Sequence, residues 1–217
     1  MKTKLLAVMG LIFVVLFSSL YTIYAEELKP IQLSPPRLDK GKLLMQALQD
    51  RKTSREFSPD KVPIEVLSNL LWAAWEVNRP DAGKHTVPSA QNKQEIDIYV
   101  STADGVYLYD PKEHILKPIA SGDMRGYTGL QTFGREAPVN LIYVADLAKM
   151  SDREEAEKMM WAGADTGFIS QNVYLFCASE GLATVVRANI DRTKLAEGIK
   201  LRPNQKITFS QTIGYPK

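Results

Sequence analysis

The 217-residue chain has a single cysteine, Cys177, and only two histidines, His85 and His114. One thiol excludes an intramolecular disulfide and any thiolate metal cage. The two imidazoles lie far apart in sequence without ligand-like spacing, so no metal site is expected. No internal repeat is visible. Excess charge is missing too. Lysine and arginine number 27 against 25 acidic residues, and Lys2 and Lys4 precede any acidic residue, which leaves 25 of each sign after position 25. Nonspecific nucleic-acid binding runs on surplus positive charge, so no nucleic-acid partner is expected.

What is present begins with the one long apolar run. It extends from Leu5 to Phe17, behind Lys2 and Lys4, and is followed by Ser18, Ser19 and then Tyr24-Ala25-Glu26-Glu27. This is the order of a secretory signal. Cleavage after Ala25 is one reading, although Ile23 is larger than the pattern favours. An uncleaved anchor is the other, because residues 5–25 can just span a bilayer and tether the chain to the membrane. Both place residues 26–217 outside the cytoplasm, either exported or anchored facing outward. With 45% hydrophobic and 24% charged residues, the remainder is ordinary for a globular protein and suits one domain better than two.

Pro30, Pro35 and Pro36 mark residues 26–38 as an extended linker. The domain then covers 39–217. Asp39 opens a helix with Leu43, Leu44, Ala47 and Leu48 on one face. Pro63 starts a second, with Leu67, Leu70, Leu71 and Ala74 as its stripe. Asn78 to Gln94 is a long polar loop, and loops of that length are usually functional. Ile96–Ser101 and Val106–Tyr109 form a hairpin around Ala103-Asp104-Gly105. The apolar run Pro138–Ala145 is a central strand. Ser151 caps a long helix that reaches Glu180 and is closed by Gly181. Thr184–Arg187 and Lys206–Ile213 are the last strands. Helices and strands mix without strict alternation, which favours an α+β sandwich.

Three segments carry candidate chemistry. Arg51-Lys52-Thr53-Ser54-Arg55 offers guanidiniums and hydroxyls at a helix end, suited to a phosphate monoester. By itself it also reads as a solvated basic helix terminus. Pro88-Ser89-Ala90-Gln91-Asn92 offers short donors and acceptors that suit the polar edge of a heterocycle, or ordinary turn chemistry. Gly181-Leu182-Ala183-Thr184 turns a helix directly into a strand and exposes backbone N–H groups at the corner. Cys177 reads as a packed core thiol. His85 faces either the loop interior or a substrate. Trp72, Trp75 and Trp161 read as core or interface residues, and Asp165 and Gln171 as structural or interface polar residues.

Together these blocks resemble the nitroreductase family. Arg51-Lys52-Thr53-Ser54-Arg55-Glu56-Phe57 is similar to its opening motif. Leu70-Leu71-Trp72-Ala73-Ala74 and Pro88–Asn92 are similar to its second block, Ala137-Pro138-Val139 to its central-strand entry, Gln171–Leu175 with Gly181–Thr184 to its long helix and turn, and Ile213-Gly214-Tyr215-Pro216 to its last strand. The resemblance runs in family order over residues 43–216. It implies an α+β sandwich with a mixed central sheet flanked by helices, and a long helix at a homodimer interface. It also implies FMN bound at that interface, with NAD(P)H as a donor. Arg51, Lys52 and Thr53 would then hold the phosphate and Arg55 the pyrimidine edge of the ring. Pro88, Ser89, Ala90 and Asn92 would come from the neighbouring subunit. Arg187 and Ala188 would present backbone N–H groups to flavin N5 and O4. Lys217 is a candidate for the basic tail found in many members. Asn92-Lys93-Gln94-Glu95 departs from the family's asparagine-x-glutamine-proline.

The resulting expectation is two-electron reduction of an electron-poor small molecule, such as a nitroaromatic or a quinone, with the chemistry at flavin N5 and no catalytic side chain. A non-turnover flavin-binding sensor or carrier in the cell envelope is the alternative reading. A structural envelope domain without cofactor is a third, opposed by the joint presence of Arg51, Thr53, Arg55, Ser89 and Asn92. Substrate choice is expected to lie in the loops 79–87 and 123–135.

Overall fold

The computed structural model describes residues 28–150 and 153–217. The segment read as a signal or anchor, and Ser151, read as a helix cap, lie outside the described residues. Among those that are described, no helix is long and apolar enough to cross a membrane.

Seven strands form one sheet in the order β1-β4-β3-β2-β5-β7-β6. They are β1 (Ile31–Gln32), β2 (Ile96–Ser101), β3 (Gly105–Asp110), β4 (Ile115–Ser121), β5 (Val139–Asp146), β6 (Ala183–Arg187) and β7 (Gln205–Gly214). Helices α1 (Leu44–Asp50), α2 (Ile64–Trp75), α3 (Phe133–Glu136), α4 (Glu155–Glu180) and α5 (Arg192–Gly198) surround it. The α+β sandwich read from the sequence is present, with every strand pairing antiparallel rather than mixed.

β5 is buried at every position, as its unbroken apolar run requires, and lies between β2 and β7. One sheet face is covered by α2 and α4. Leu70, Leu71, Ile169 and Val173 meet Ile98, Leu141 and Tyr143 there. Burying that many large side chains, at roughly 2 kcal/mol each, is the main force that closes the domain. The other face is covered by α5 and its flanks, where Leu195, Ile190 and Ile199 meet Tyr99, Val106, Ile142 and Val144.

Helix α4 ends as expected. Gly181 is left-handed at φ 72°, and the Leu182 N–H reaches back to the Cys177 carbonyl at 2.8 Å. Only glycine adopts that conformation without strain. At the other end Glu154 is the extended cap residue, with Glu155 and Glu157 in the first turn, where the helix dipole favours acids.

Several elements differ from the sequence reading. α1 begins at Leu44, not Asp39, because Gly41 bends the chain at φ 103°. Lys42 N–H is bonded there to Ser179 Oγ at 2.8 Å, which clips the bend to the end of α4. The stretch read as linker supplies β1, paired with β4, and the buried Leu33. β4 itself contains Pro118, which argues against a strand. The sheet admits it because the β3 register shifts between Val106 and Tyr107, and Pro118 faces Tyr107 at that irregularity. α5 is short and is started by Asp191, whose side chain accepts the Lys194 N–H at 3.2 Å.

Candidate active site

β6 is the free edge of the sheet, and the basic segment lies along it. Ser54 N–H donates to Thr184 O at 3.0 Å, and Ser58 N–H to Tyr215 O at 2.9 Å. Phe57 anchors the stretch by burial against Phe133, Ala137, Ala183 and Val185. The hydrophobic position two residues after Arg55 therefore fixes where the cations stand. Val186 N–H donates to the Tyr174 hydroxyl at 3.0 Å, and that hydroxyl lies 3.2 Å from Thr53 Oγ1. The Arg51 guanidinium sits 5.3 Å from the centre of the Tyr174 ring, within cation–π range. One phenol on α4 thus joins the basic segment to the edge strand. Tyr174 belongs to a quoted sequence block but was not among the expected site residues. A lone hydroxyl on a helix face is the signal that points to it.

Beside this junction is a groove of about 610 Å³, with Lys52, Ser54, Tyr174, Gly181, Thr184 and Lys217 in its wall. Its volume is in the range of cofactor clefts. Lys42 also lines it, with its ammonium committed to Asp50 at 2.7 Å. Among the described residues, Lys52 and Lys217 take part in no salt bridge, and neither does Glu56, which lines the groove with them. Arg55 and Thr53 are exposed next to it.

Arg187 departs from expectation. Its side chain is 4% exposed and points into the second sheet face. Nη2 donates to Asn140 Oδ1 at 2.7 Å and Thr128 Oγ1 at 3.1 Å. Burial lowers its pKa to about 10, so it remains a cation near neutrality. Because Val186 N–H points away from β7, strand alternation turns the Arg187 N–H toward β7, opposite Ser210. That backbone group is used by the sheet and is not offered to a ligand. Ala188 is exposed.

The Pro88–Asn92 loop lies elsewhere on α4. Ala90 N–H donates to Asp165 Oδ2 at 2.8 Å. Gln94 N–H donates to Ser89 Oγ at 3.0 Å, and Gln94 Nε2 to Asn92 Oδ1 at 3.2 Å and Gly83 O at 2.6 Å. Asp165 precedes Tyr174 by nine residues, or roughly 14 Å of helix rise. Within one chain the basic segment and the late glycine corner converge, and the proline-serine loop stands apart. Pro88 is exposed, and Ser89 and Ala90 are half-buried.

The remaining candidates are structural. His85 is stacked on Trp75 at 4.1 Å, with Nδ1 2.6 Å from Trp75 O, and burial lowers its pKa. Cys177 is buried, which pushes its thiol far up. A serine–histidine–carboxylate chain exists, with Ser68 Oγ 2.8 Å from His114 Nε2 and His114 Nδ1 2.7 Å from Glu76 Oε2. It is not a hydrolytic triad. Ser68 is 0% exposed, and its hydroxyl donates to Ser34 O at 2.6 Å. The chain of bonds pins the N-terminal strap to α2. Among the described residues there is no metal-binding cluster.

A family model described as the nitroreductase family matches residues 48–215. The chain belongs to the nitroreductase family. A provisional nitroreductase of Methanocaldococcus jannaschii is 28% identical over 182 residues, which is 79% of this chain and 91% of that protein. The crystal structure of a provisional nitroreductase from Ralstonia eutropha aligns with TM-score 0.83 at 38% identity, covering 89% of this chain and 91% of the other. The NADPH:FMN oxidoreductase of Vibrio harveyi, complexed with NAD+, shares the fold at TM-score 0.59 and 17% identity, over 80% of this chain and 69% of that one. Membership places the chain among oxidoreductases.

Proposed function

We propose that the chain is an FMN-dependent oxidoreductase that carries out two-electron reduction of an electron-poor small molecule, such as a nitroaromatic or a quinone. The observation that carries this reading is the groove at the free edge of β6, lined by Lys52, Ser54, Thr184 and Lys217, with Thr53 and Arg51 set against the Tyr174 side chain that forms part of its wall. A phosphate monoester is a doubly charged acceptor that such a donor set fits. Arg51, Lys52, Thr53 and Lys217 would hold the phosphate, and Arg55 the pyrimidine edge of the flavin ring. Bound FMN supplies hydride chemistry that no side chain in the site provides. The protein binds, orients and shields the ring.

The ring loop 88–92 stands too far along α4 to complete the same cleft, so a second copy of the chain supplies it in this reading. Two unpartnered apolar surfaces support a homodimer. α4 exposes Met160 and Phe168, with the small Ala164 and Gly167 between them. α1 and its approach expose Leu43, Leu44, Met45 and Leu48. Export or outward anchoring by residues 1–25 belongs to the same proposal and makes a membrane quinol an electron donor to test beside NADH and NADPH.

The test is an absorption spectrum of the isolated protein, followed by FMN titration. The wild type is expected to be yellow and to bleach on reduction. Arg51→Ala is expected to weaken FMN binding by about 2 kcal/mol, roughly 30-fold. Colourless protein that ignores added FMN overturns the reading. Tight FMN binding without turnover from any of the three donors shows the sensor or carrier instead.

A further inference from the structure

Two carboxyl groups, Glu95 and Asp165, lie within side-chain hydrogen-bond reach of each other at the root of the proline-serine loop. Glu95 lies immediately before β2 and is 0% exposed, and Asp165, from the middle of α4, is 2% exposed. The two differ in their surroundings. Asp165 Oδ2 accepts the Ala90 N–H. Both Glu95 oxygens are buried without a donor from another residue, and the residue's own backbone N–H only partly offsets that burial. An ionised carboxylate in that state is strongly disfavoured. A protonated one is not, because its O–H becomes the missing donor and the Asp165 carboxylate the acceptor. Burial, reinforced by the hydrogen bond and charge of Asp165, raises Glu95 to about 7.

The loop above this pair is held in an uncommon shape. Gln91, Asn92 and Gln94 have φ of 51°, 55° and 50°, in the left-handed region that residues with a Cβ rarely enter. Such a run persists only if surrounding bonds fix it. Asp165 fixes Ala90 at the start. At the exit, Lys149 Nζ donates to Gln94 O at 2.8 Å, and the next residue is Glu95 itself. Lys149, from the turn after β5, is the cation that faces the pair, and it is also 3.5 Å from Asp97 Oδ1 on β2. Its charge opposes the rise of Glu95 and is shared with Asp97. His85, in the same long loop, is near enough to Lys149 to be lowered by it.

We infer that the Glu95 carboxyl donates a hydrogen bond to Asp165 and that the pair acts as a latch that positions the Pro88–Gln94 loop. The donor is Glu95 and the acceptor is Asp165, which in turn holds the Ala90 N–H. When the proton leaves, two buried negative charges face each other. The least costly relief exposes Glu95, which pulls on Gln94 and releases Ala90. Both are positioning residues, since neither faces the groove. The consequence for a bound ring rests on the proposed function, and the latch itself does not.

The test is amide hydrogen exchange at Ala90, read by NMR on the full chain without added cofactor, from about pH 5.5 to about pH 9 and normalised to the intrinsic rate of the unfolded peptide. Ala90 protection is expected to hold at low pH and to fall by roughly tenfold or more through a midpoint near neutrality, while β5 amides remain protected. Glu95→Gln donates to Asp165 at every pH and is expected to remove the step. Asp165→Asn donates to ionised Glu95, still accepts Ala90, and is expected to remove it too. A flat wild-type profile, a step that survives both substitutions, or a step shared by the β5 amides overturns the latch. Colourless protein that ignores added FMN but shows the step sinks the flavin reading and leaves the latch standing. Yellow protein without the step does the reverse.

Discussion

Burying a guanidinium is costly unless its donors are met. Arg187 meets acceptors only through Nη2, and its Nε and Nη1 are buried without partners. Its seat is made by two glycines. A Cβ on Gly129 would lie 1.4 Å from Nη1, and one on Gly134 would lie 2.4 Å from it. Gly129→Ala is therefore expected to destabilise the fold by about 2–3 kcal/mol in denaturant titration, and Arg187→Met in the same chain to recover part of that. Among the described residues no carboxylate is bonded to Arg187, so its charge adds positive potential behind the edge strand where the flavin ring is proposed. Glu95 gives a second expectation at this scale. Its folded pKa is raised from 4.5 to about 7. The stability it contributes is then fully present below pH 4.5 and is lost as pH rises through 7. Stability of the wild type against denaturant is expected to fall over that window, and Glu95→Gln to remove this part of the slope. None of this was legible from the chain. Arg187 was read for its backbone, and Glu95 only as a departure from a motif, because burial without a partner is a property of the folded surroundings.

Helix α4 organises the site at the scale of elements. Asp165 on it holds the proline-serine loop, Tyr174 joins the basic segment to β6, and Gly181 makes the corner from which β6 starts. Tyr174→Phe removes one hydroxyl that serves both Thr53 and Val186. About 1 kcal/mol of stability is expected to be lost in thermal unfolding, with FMN binding weakened as the basic segment loosens. A variant that binds FMN as the wild type does would show that the junction is ornamental. The long elements were legible because their signals agree. α4 has an apolar face and a closing glycine, β5 an unbroken apolar run, and α2 a proline start. β4 was hidden by Pro118, and β1 by its two-residue length inside a proline-rich stretch. Local chemistry argued against both, and pairing with neighbours overrode it.

At the scale of the molecule, the site segments do not close around one cleft within a single chain. The separation of the two loops along α4 and the apolar surfaces on α1 and α4 point to the same remedy, a second copy. Phe168→Glu is expected to shift sedimentation toward monomer and to weaken FMN binding together, because the proposed ring contacts come from the partner. Dimer loss with unchanged FMN affinity would place the whole site in one chain and sink the shared-site reading.

The sequence by itself determined the family, the order of the long elements and which residue types would meet a phosphate, because these follow from periodicity, punctuation and charge. Tertiary structure alone decided which of those residues share a cleft, that the Arg187 cation is internal, and that Glu95 faces Asp165. Those facts depend on residues distant in the chain being brought within a few ångströms. No local pattern encodes such a distance; it is set by how the helices settle on the sheet.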